Sequence, residues 1–368
     1  MGHRLTVKGV GASPWSTQVV VATGALEFAA RGIAGDFPGT RQVVVCDLTV
    51  ARLYGRRFAR RLASNGVSPA LLTFPPGERF KTRETKAKLE DRLLALAVGR
   101  DTVVIALGGG VASDLAGFLA ATWHRGVPWV AIPTTLLAMV DAGLGGKTAI
   151  DLPGGKNAVG AFHQPASLWA DVSVLRTLSP RDYRAGLAEA VKTAVVLDAD
   201  LFRRLERDVE SLLAREARPV ERLVARCLAL KGGVVSADAR EGGLRAILNF
   251  GHTAAHAIEE ATDYRVPHGE AVAIGLVAEA RLAERATGFP QADADRIEAL
   301  LLAFGLPVRP PRGLDAKRWL AAVRRDKKTR AGIVRAALPE RIGRMPECSD
   351  PSLPIDARRE LLPLLVRN

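Results

Sequence analysis

The residues of this sequence best suited to bind a metal ion are histidines between residues 249 and 270. Three of the six histidines lie there: His252, His256 and His268. His252 and His256 are four residues apart, so on a helix they share one face. A polar break at residues 263–267 can fold His268 back towards them. Converging neutral imidazoles suit Zn²⁺ or a similar divalent ion; the alternative is helix-capping or internally hydrogen-bonded histidines.

A carboxylate could complete such a site. Residues 186–192 read Gly-Leu-Ala-Glu-Ala-Val-Lys within a stretch of helical periodicity, so Glu189 and Lys192 face the same way. Glu189 could be the missing hard ligand beside His252 and His268, and Lys192 could then lie over the substrate. The alternative is an ordinary surface salt bridge between residues i and i+3, worth roughly 0.2–0.5 kcal/mol.

A glycine-rich turn predicts a phosphate-binding site. Residues 107–114 read Leu-Gly-Gly-Gly-Val-Ala-Ser-Asp and link a buried strand to a helix. Glycines let the backbone approach a ligand closely, and the helix N-terminus presents free N–H groups to phosphate. The pattern is neither a complete G-x-G-x-x-G nor a P-loop. We interpret it as a dinucleotide pyrophosphate site, with a plain tight turn as the alternative.

Residues 123–165 combine glycine-rich loops with single charged residues. The basic and amide side chains among them predict an anion pocket, with simple surface loops as the alternative: Arg125, Lys147, Lys156 and Asn157. Thr134 and Thr135 follow a strand, where two hydroxyls can meet a nucleotide. Asp47, at the end of another strand, could bind ribose hydroxyls or cap a helix.

The elements needed to position these residues alternate in the N-terminal half. Short runs rich in β-branched residues predict strands, and helical stretches separate most of them. The predicted strands are 18–22, 42–46, 70–74, 102–107 and 129–132, and the predicted helices are 25–34, 50–64 and 81–97. This alternation predicts an α/β, Rossmann-like, largely parallel sheet, which binds ligands at the carboxyl ends of its strands.

The C-terminal half has helical periodicity throughout. We predict helices over 180–197, 199–214, 219–237, 253–262, 270–287, 291–304, 315–325 and 355–366. The expected organisation is therefore a nucleotide-binding domain, residues 1–177, and an all-α domain, residues 178–368. The tail beyond Met345 is expected to be a packing extension.

Composition excludes several classes of protein. The chain has 368 residues, 48% of them hydrophobic, and a net charge of +13. It carries no zinc finger, RNP-like motif or basic tail, which argues against nucleic-acid binding. We therefore interpret the charge as a solvated basic surface, with attraction of anionic small molecules as the alternative. No stretch is apolar enough for a membrane span. Three distant cysteines, Cys46, Cys227 and Cys348, favour reduced thiols in a cytoplasm.

Taken together and in order, these motifs resemble the dehydroquinate synthase family of sugar phosphate cyclases. The resemblance spans roughly residues 40–335. It is carried by 76–81, 108–114, 133–135, 141–148, 155–162, 188–192, Lys231, 245–256, 268–272 and 326–328. Each motif is weak alone, but their sequence along the chain is specific.

The resemblance implies a fold and a reaction. It implies a Rossmann-like NAD domain and a helical metal domain that carries Zn²⁺ or Co²⁺. The implied reaction converts 3-deoxy-D-arabino-heptulosonate 7-phosphate to 3-dehydroquinate and phosphate. Transient oxidation of C5 by NAD⁺ acidifies the C6–H, phosphate leaves by β-elimination, C5 is reduced again, the ring opens, and an intramolecular aldol step closes the carbocycle.

The resemblance also assigns roles to residues. Glu189, His252 and His268 map to the metal ligands, and Lys192 with Asp141 would orient substrate hydroxyls. The phosphate pocket maps to Lys147, Asn157, His256 and Arg125. The carboxylate clamp maps to Lys231, Arg245 and Asn249, with Lys327 or Lys328 as a further contact. NAD contacts map to Asp47, Glu78, Lys81, Gly109, Gly110, Asp114, Thr134, Thr135, Lys147, Lys156 and Thr177. The arginine comes from a neighbouring subunit in this family, which implies a homodimer.

Some positions depart from the usual family pattern, and they leave related activities open. Ala142-Gly143 replaces the commoner Ser-Ser after Asp141, and Ala255 replaces a glycine. The carboxylate clamp favours a carboxylate-bearing substrate, which dehydroquinate and aminodehydroquinate synthases share. The sequence also leaves open a cyclitol synthase, a metal- and NAD-dependent polyol dehydrogenase and, from another class, a basic nucleic-acid-binding protein.

Overall fold

The chain divides into two compact units in a computed structural model that describes residues 2–9, 14–153, 155–325, 333–347 and 351–366. The first unit comprises Met1–Leu178 and Val220–Ser236, and the second comprises Ser179–Pro219 and Ala237–Asn368. The first is built on a β-sheet with flanking helices, and the second is mostly helical. The predicted fold class is thereby confirmed.

The structure contains strands and helices with the following bounds. The strands are β1 His3–Gly9, β2 Trp15–Ala22, β3 Arg41–Asp47, β4 Ala70–Phe74, β5 Thr102–Gly108, β6 Trp129–Pro133, β7 Lys147–Leu152, β8 Gly155–Phe162, β9 Ser167–Asp171, β10 Val334–Ala337 and β11 Ser352–Ile355. The helices are α1 Ala25–Asp36, α2 Leu48–Val50, α3 Arg56–Ser64, α4 Arg83–Ala95, α5 Gly110–Thr122, α6 Pro180–Leu197, α7 Ala199–Arg207, α8 Val209–Leu213, α9 Ala217–Ala237, α10 His252–Ala261, α11 His268–Ala286, α12 Gln291–Ala303, α13 Ala316–Arg325 and α14 Leu362–Val366.

Seven strands form the sheet of the first unit, in the order β1-β2-β9-β6-β5-β3-β4. All neighbouring pairs are parallel except β1 with β2. The central strands are fully buried, which explains their continuous apolar runs. Because β3, β5 and β6 are parallel, their carboxyl ends lie at one edge, with Gly108 paired to Pro133. Asp47 ends β3, the glycine turn begins at the end of β5, and Thr134–Thr135 follow β6.

The sequence did not predict several strands. The five predicted strands are confirmed, but β1 and β9 were missed because β1 is half exposed and β9 has no β-branched residue. The loops predicted to carry Lys147, Lys156 and Asn157 are instead an antiparallel hairpin, β7–β8. Its alternating exposure and its glycines weaken the strand signal.

Helices of the second unit pack closely at two glycines of α11. A Cβ on Gly269 would lie 2.3 Å from the carbonyl oxygen of Ala185 on α6, and a Cβ on Gly275 would lie 1.9 Å from the carbonyl oxygen of Gly251, just before α10. Only glycine allows either approach. These two contacts place α6, α10 and α11 side by side.

The C-terminal segment differs from its prediction. Instead of one helix over 355–366, β11 ends at Ile355, a π-helical turn covers Ala357–Leu361, and α14 follows. β11 pairs with β10 as an antiparallel ribbon, so the second unit is helical with one small addition.

Helix α9 shows that the two compact units are not two continuous halves of the sequence. Most of it, Val220–Ser236, groups with the first unit, although it lies within the C-terminal half. In that unit, a Cβ on Gly232 would meet Val7 of β1 at 2.7 Å. Domain limits at residue 177 stay a prediction. Within the described ranges, no helix has both the length and the apolar character needed to cross a membrane.

Asp171, at the end of β9, fixes the start of α1. Its carboxylate is buried and accepts hydrogen bonds from the backbone N–H groups of Gly24 (2.8 Å) and Leu26 (2.9 Å). It also accepts from the N–H of Ser173 at 2.9 Å and from its hydroxyl at 2.6 Å. One side chain therefore joins the sheet, a helix N-terminus and the following turn.

We expect Asp171→Ala to lower the free energy of unfolding by about 2–4 kcal/mol, because it leaves several partly buried donors without an acceptor. Urea denaturation of the two chains measures the difference. Asp36→Ala, an exposed acid at the end of α1, is the control and should change stability by less than about 0.5 kcal/mol. Equal effects of both substitutions would contradict this role for Asp171.

Candidate metal centre and cofactor site

Three elements bring the predicted metal ligands together in the second unit. Glu189 lies in the middle of α6, His252 begins α10 and His268 begins α11. The Nε2 atom of His268 lies 3.0 Å from Oε1 of Glu189, and the Nε2 atom of His252 lies 3.4 Å from the same oxygen. One ligand atom from each residue lies within 4.8 Å of the others. This donor set of two imidazoles and one carboxylate fits Zn²⁺ or a similar divalent ion.

Hydrogen bonds on the far side of each imidazole orient the ring. Nδ1 of His252 lies 3.1 Å from the carbonyl oxygen of Phe250, which can only accept. Nδ1 of His268 lies 3.2 Å from Oε2 of Glu259. Each Nδ1–H therefore donates to an oxygen, an assignment made from these partners. In the neutral tautomer this leaves the Nε2 lone pair of both rings directed towards Glu189.

The electrostatics follow from burial beside opposite charges. Glu189 is 0% exposed. Burial alone would raise its pKa, but Lys192 and the two histidines hold that pKa well below its usual range. Burial lowers the pKa of His252. Burial acts the same way on His268, but Glu259 and Glu189 outweigh it and raise the pKa of His268 to about 9.

Lys192 is a buried partner of Glu189. Its Nζ lies 2.7 Å from Oε2 of Glu189, and Lys192 is 1% exposed. The alternative of an ordinary surface salt bridge is therefore wrong, because both charges are removed from water. A lysine held in this way presents a cation next to the carboxylate that the metal site requires.

His256 lies beside the three ligands and belongs to a second group. Its ring centroid is 5.4 Å from that of His252 and 6.1 Å from that of His268. His256, Glu259 and His268 also place one ligand atom each within 4.8 Å of one another. His268 thus belongs to both groups, and each of its nitrogens faces a different carboxylate.

The glycine turn of the first unit fits a close ligand approach. Gly109 precedes α5 and Gly110 begins it. The N–H of Thr134 donates to the carbonyl of Gly108 at 2.9 Å, and Thr135 Oγ1 accepts from the N–H of Ala138 at 3.2 Å. A Cβ on Gly109 would lie 2.9 Å from Thr135 Cγ2. The α5 N-terminus and the threonines therefore meet at one sheet edge, as a dinucleotide site requires.

Lys81 forms a buried ion cluster beside this turn. It is 2% exposed, and its Nζ lies 2.7 Å from Glu78, 3.2 Å from Asp114 and 3.7 Å from Asp151. Lys156 Nζ lies 3.7 Å from Glu78. Burial raises the pKa of Asp114 to about 6, although Lys81 opposes the rise. Four of the predicted NAD-contact residues are thus brought together.

Asp151 links this cluster to the hairpin that carries Asn157. Its N–H donates to the carbonyl of Lys81 at 2.7 Å, and its Oδ1 accepts from the N–H of Asn157 at 2.7 Å. Asn157 has a φ of 52°, a left-handed conformation that this hydrogen bond supports. Asp151 was not predicted from the sequence, which gave no local signal for it.

The residues predicted to bind the substrate carboxylate fall in different units. Lys231 contacts Asp141 within the first unit, through the carboxylate and, at 2.7 Å, the backbone carbonyl. In the second unit, Arg245 Nη1 donates to the carbonyl of Ala239 at 2.8 Å. Asn249 Nδ2 donates to Glu241 at 2.9 Å. The structure therefore adds a pairing of Lys231 with Asp141 that the sequence did not predict.

The remaining predicted residues have varied surroundings. Asp47 caps α2, accepting from the N–H groups of Thr49 (2.7 Å) and Val50 (3.0 Å), which is one of the two roles expected for it. Thr177 Oγ1 lies 2.6 Å from the hydroxyl of Tyr54. Arg125 and Lys147 are exposed. Lys327 and Lys328 lie outside the described residues.

Glu259 is the site residue that sequence reasoning missed although a signal existed. It lies seven residues after His252 and three after His256, so all three share one face of α10. Such a spacing places a buried carboxylate behind the histidines. Asp151 had no comparable signal, because its partners belong to other elements.

Comparison with known proteins is consistent with this geometry. A family profile described as 3-dehydroquinate synthase N-terminal matches residues 71–185, and one described as 3-dehydroquinate synthase C-terminal matches residues 186–329. The chain is 43% identical over 331 residues to a 3-dehydroquinate synthase of Nostoc sp., covering 89% of this chain and 91% of that protein.

Two solved structures are similar over nearly the whole chain. A 2-deoxy-scyllo-inosose synthase complexed with carbaglucose-6-phosphate, NAD⁺ and Co²⁺ is 25% identical, with a TM-score of 0.88 and 99% of both chains covered. A 2-epi-5-epi-valiolone synthase from Streptomyces hygroscopicus subsp. jinggangensis, with NAD⁺ and Zn²⁺ bound, is 31% identical, with a TM-score of 0.86, covering 97% of this chain and 98% of that one. From both family profiles and the curated relatives, the chain belongs to the 3-dehydroquinate synthase family.

Proposed function

We propose that this chain converts 3-deoxy-D-arabino-heptulosonate 7-phosphate to 3-dehydroquinate and phosphate, a step of the shikimate pathway towards aromatic amino acids. The observation that carries the proposal is the Glu189–His252–His268 group, in which Glu189 and His252 are buried, with Lys192 beside it, in a chain 43% identical to a 3-dehydroquinate synthase. The enzyme is then a carbon–oxygen lyase.

In this proposal Glu189, His252 and His268 hold a divalent ion, Zn²⁺ or Co²⁺. Such an ion, when bound, supplies a Lewis acid that lowers the pKa of a substrate hydroxyl and polarises the ketone that follows. Lys192 is already fixed 2.7 Å from Glu189. It donates to the substrate hydroxyls and holds them in place, and Asp141 accepts from them.

The proposed NAD site lies at the carboxyl edge of the sheet. NAD⁺, when bound, supplies a reversible hydride acceptor, so that it is regenerated in each turnover. The glycine turn with the α5 N-terminus receives the pyrophosphate. The other proposed contacts are Asp47, Glu78, Lys81, Asp114, Thr134, Thr135, Lys147, Lys156 and Thr177. Three carboxylates hold the ammonium group of Lys81 in one place, so its contribution to NAD binding would depend on a fixed geometry.

The remaining basic residues recognise the two anionic ends of the substrate. Lys147, Asn157, His256 and Arg125 bind the phosphate and stabilise it as it leaves. Lys231, Arg245 and Asn249 bind the carboxylate, for which a planar guanidinium is well suited, with Lys327 or Lys328 as a further contact. Oxidation at C5 acidifies C6–H, phosphate is eliminated and C5 is reduced again. The sugar ring then opens by cleavage of its C–O bond, and an intramolecular aldol addition closes the carbocycle.

Sequence identity favours this substrate over those of related cyclases. The 3-dehydroquinate synthase of Nostoc sp. is 43% identical, whereas the solved 2-deoxy-scyllo-inosose and 2-epi-5-epi-valiolone synthases are 25% and 31% identical. The retained carboxylate-binding residues agree with a carboxylate-bearing substrate. Aminodehydroquinate synthesis shares that feature and is the alternative that the test must separate.

The decisive test is turnover of 3-deoxy-D-arabino-heptulosonate 7-phosphate by metal-replete protein with catalytic NAD⁺. We expect phosphate release, dehydroquinate identified by mass spectrometry, and no net NADH. Lys192→Ala and a chelated sample should each lose at least about 100-fold of this activity, since both remove electrostatic stabilisation of the reacting oxygens. If only the amino analogue is turned over, the proposed substrate is wrong and the chain is an aminodehydroquinate synthase. If a plain polyol gives stoichiometric NADH, the chain is a dehydrogenase.

A second prediction concerns Glu259. Glu259→Leu removes the acceptor of His268 Nδ1–H at similar volume, so His268 can rotate or change tautomer. We expect the affinity for Zn²⁺ to fall about 10- to 100-fold, measured by competition with a chromophoric chelator. Glu259→Gln keeps an acceptor oxygen and should recover part of the loss. The control is Glu260→Gln, whose carboxylate pairs with Arg325; the proposed role fails if this variant loses as much affinity as Glu259→Leu.

A homodimer in the cytoplasm completes the proposal, with Arg125 of each subunit serving the site of its partner. The cysteines Cys46 and Cys227 are fully buried, as small apolar core residues of a protein from a reducing compartment can be. Arg125 is exposed, and its φ of 71° follows a φ of 48° at His124, a strained pair of the kind retained at functional sites.

Subunit mixing tests this arrangement. Arg125→Ala and Lys192→Ala chains should each be nearly inactive alone, but a mixed dimer contains one intact site. Co-expression in equal amounts should therefore restore about a quarter of the wild-type activity, because half of the dimers are mixed and one of their two sites works. No restoration, in a sample shown by sedimentation to be dimeric, would place Arg125 in its own subunit's site or outside it.

A further inference from the structure

We propose that Glu279 is a positioning residue for His252: its carboxylate holds the first turn of α10 and thereby aims the imidazole. The inference rests on the proposed metal site, because it concerns how one ligand of that site is held. Glu279 lies in the middle of α11, the helix that His268 begins, and follows His252 by 27 residues. It is a member of neither candidate ligand group.

The carboxylate of Glu279 is fully buried and bonded to the backbone of α10. Its side chain is 0% exposed. Oε2 accepts a hydrogen bond from the N–H of Gly251 at 2.7 Å, and Oε1 accepts one from the N–H of Ala254 at 2.9 Å. These donors flank His252. Both carboxylate oxygens therefore contact the turn that carries this histidine.

Gly275 completes the contact from one turn earlier on the same face of α11. Residues 275 and 279 are four apart, so both face α10. A Cβ at position 275 would lie 1.9 Å from the carbonyl oxygen of Gly251 and 3.2 Å from the N–H nitrogen of Ala255. The missing side chain lets the helices approach, and Glu279 then reaches the N–H groups. Gly251 itself has a φ of 81°, which turns the chain sharply into α10.

The first turn of a helix is held poorly by the helix's own hydrogen bonds. The first N–H groups of an α-helix have no partner within the helix, and first turns fray unless other groups bind them. The N-cap residue of α10 is Gly251, which has no side chain that could accept hydrogen bonds from these N–H groups. A carboxylate from a neighbouring helix supplies acceptors there, and its negative charge favours the helix N-terminus.

His252 depends on this turn for its orientation. Its Nδ1 donates to the carbonyl of Phe250, two residues earlier, and its Nε2 faces Glu189 at 3.4 Å. Both the ring and its acceptor therefore move with the Phe250–Ala254 backbone. If the turn shifts by even a few tenths of an ångström, the distance from Nε2 to a shared metal position changes.

The experiment uses the full chain and Co²⁺ alone as the probe. The absorption bands of bound Co²⁺ report ligand geometry, and a merely stabilising residue would leave them unchanged in folded protein. Three variants are compared with wild type: Glu279→Gln, Glu279→Asp and the control Glu284→Gln. Glu284 lies on the same helix and pairs with Arg281. Hydrogen exchange of residues 251–256 in metal-free protein is measured in parallel.

We expect Glu279→Gln to bind Co²⁺ at least about tenfold more weakly, with shifted absorption bands and faster exchange of the first turn of α10, because an amide group then faces one N–H donor. Glu279→Asp, one methylene shorter, should lie between this variant and wild type. Glu284→Gln should stay within about twofold of wild type with unchanged bands.

The outcomes separate this inference from the proposed function. Wild-type affinity and bands in folded Glu279→Gln would overturn the positioning role, even if that variant unfolds more easily. If Glu279→Gln does not fold, the same result in Glu279→Asp overturns it. Wild-type protein that fails to bind Co²⁺ would instead remove the proposed metal site. In that case the inference is wrong together with the proposed metal site, and the hydrogen-exchange data show only whether Glu279 stabilises the first turn of α10.

Discussion

The second unit depends on one constraint, the burial of the Glu189 carboxylate. A carboxylate removed from water is strongly destabilising unless positive charges and hydrogen-bond donors surround it. Lys192 and two imidazoles supply these groups within 3.4 Å. Because they come from three helices, the helices must approach closely, and the glycines at positions 269 and 275 of α11 permit this approach. Close helix packing in this unit is therefore a condition for neutralising the buried carboxylate.

In the first unit the buried charge is a cation, and carboxylates surround it. Lys81 is enclosed by Glu78, Asp114 and Asp151, which belong to three different segments. Fixing one ammonium group therefore also fixes the glycine turn through Asp114 and the β7–β8 hairpin through Asp151. The pKa of Asp114, raised to about 6 by burial, shows the energetic cost of this arrangement. A cost of this kind is retained more readily at a binding site than in a structural core.

Much of the fold could be predicted from local patterns. Valine runs identified the central strands, and α6 was predicted with its observed bounds because Ser179 caps it and Pro180 occupies its first turn. The β7–β8 hairpin was missed because its glycines and half-exposed residues resemble a loop. β1 was missed because its polar, exposed residues carry no core pattern. Local periodicity detects burial on a continuous face, and neither element has one.

The residues of the candidate site likewise fall into those that local sequence patterns indicate and those that they do not. Glu189, His252 and His268 could be proposed because the spacing of the histidines and the family motifs marked them, and Glu259 shares a helix face with the histidines. Glu279 and Asp151 could not, since they bind backbone N–H groups of distant segments. Such contacts depend on which helix or hairpin lies opposite, and residue spacing along one element carries no information about that.

Among the described residues, two candidate ligand groups contain His268, and its hydrogen bonds favour one of them over the other. With a proton on Nδ1, the ring donates to Glu259 while its Nε2 faces Glu189, as does Nε2 of His252. A metal bound instead by His256, Glu259 and His268 would require Nδ1 of His268 to lose that proton, and Glu259 would stop acting as an acceptor. It would also leave Nε2 of His252 directed at Glu189 with no shared ion. Only the Glu189 group lets both Nδ1–H groups keep an oxygen acceptor while both Nε2 atoms converge, so Glu259 is best understood as the residue that orients the ligand.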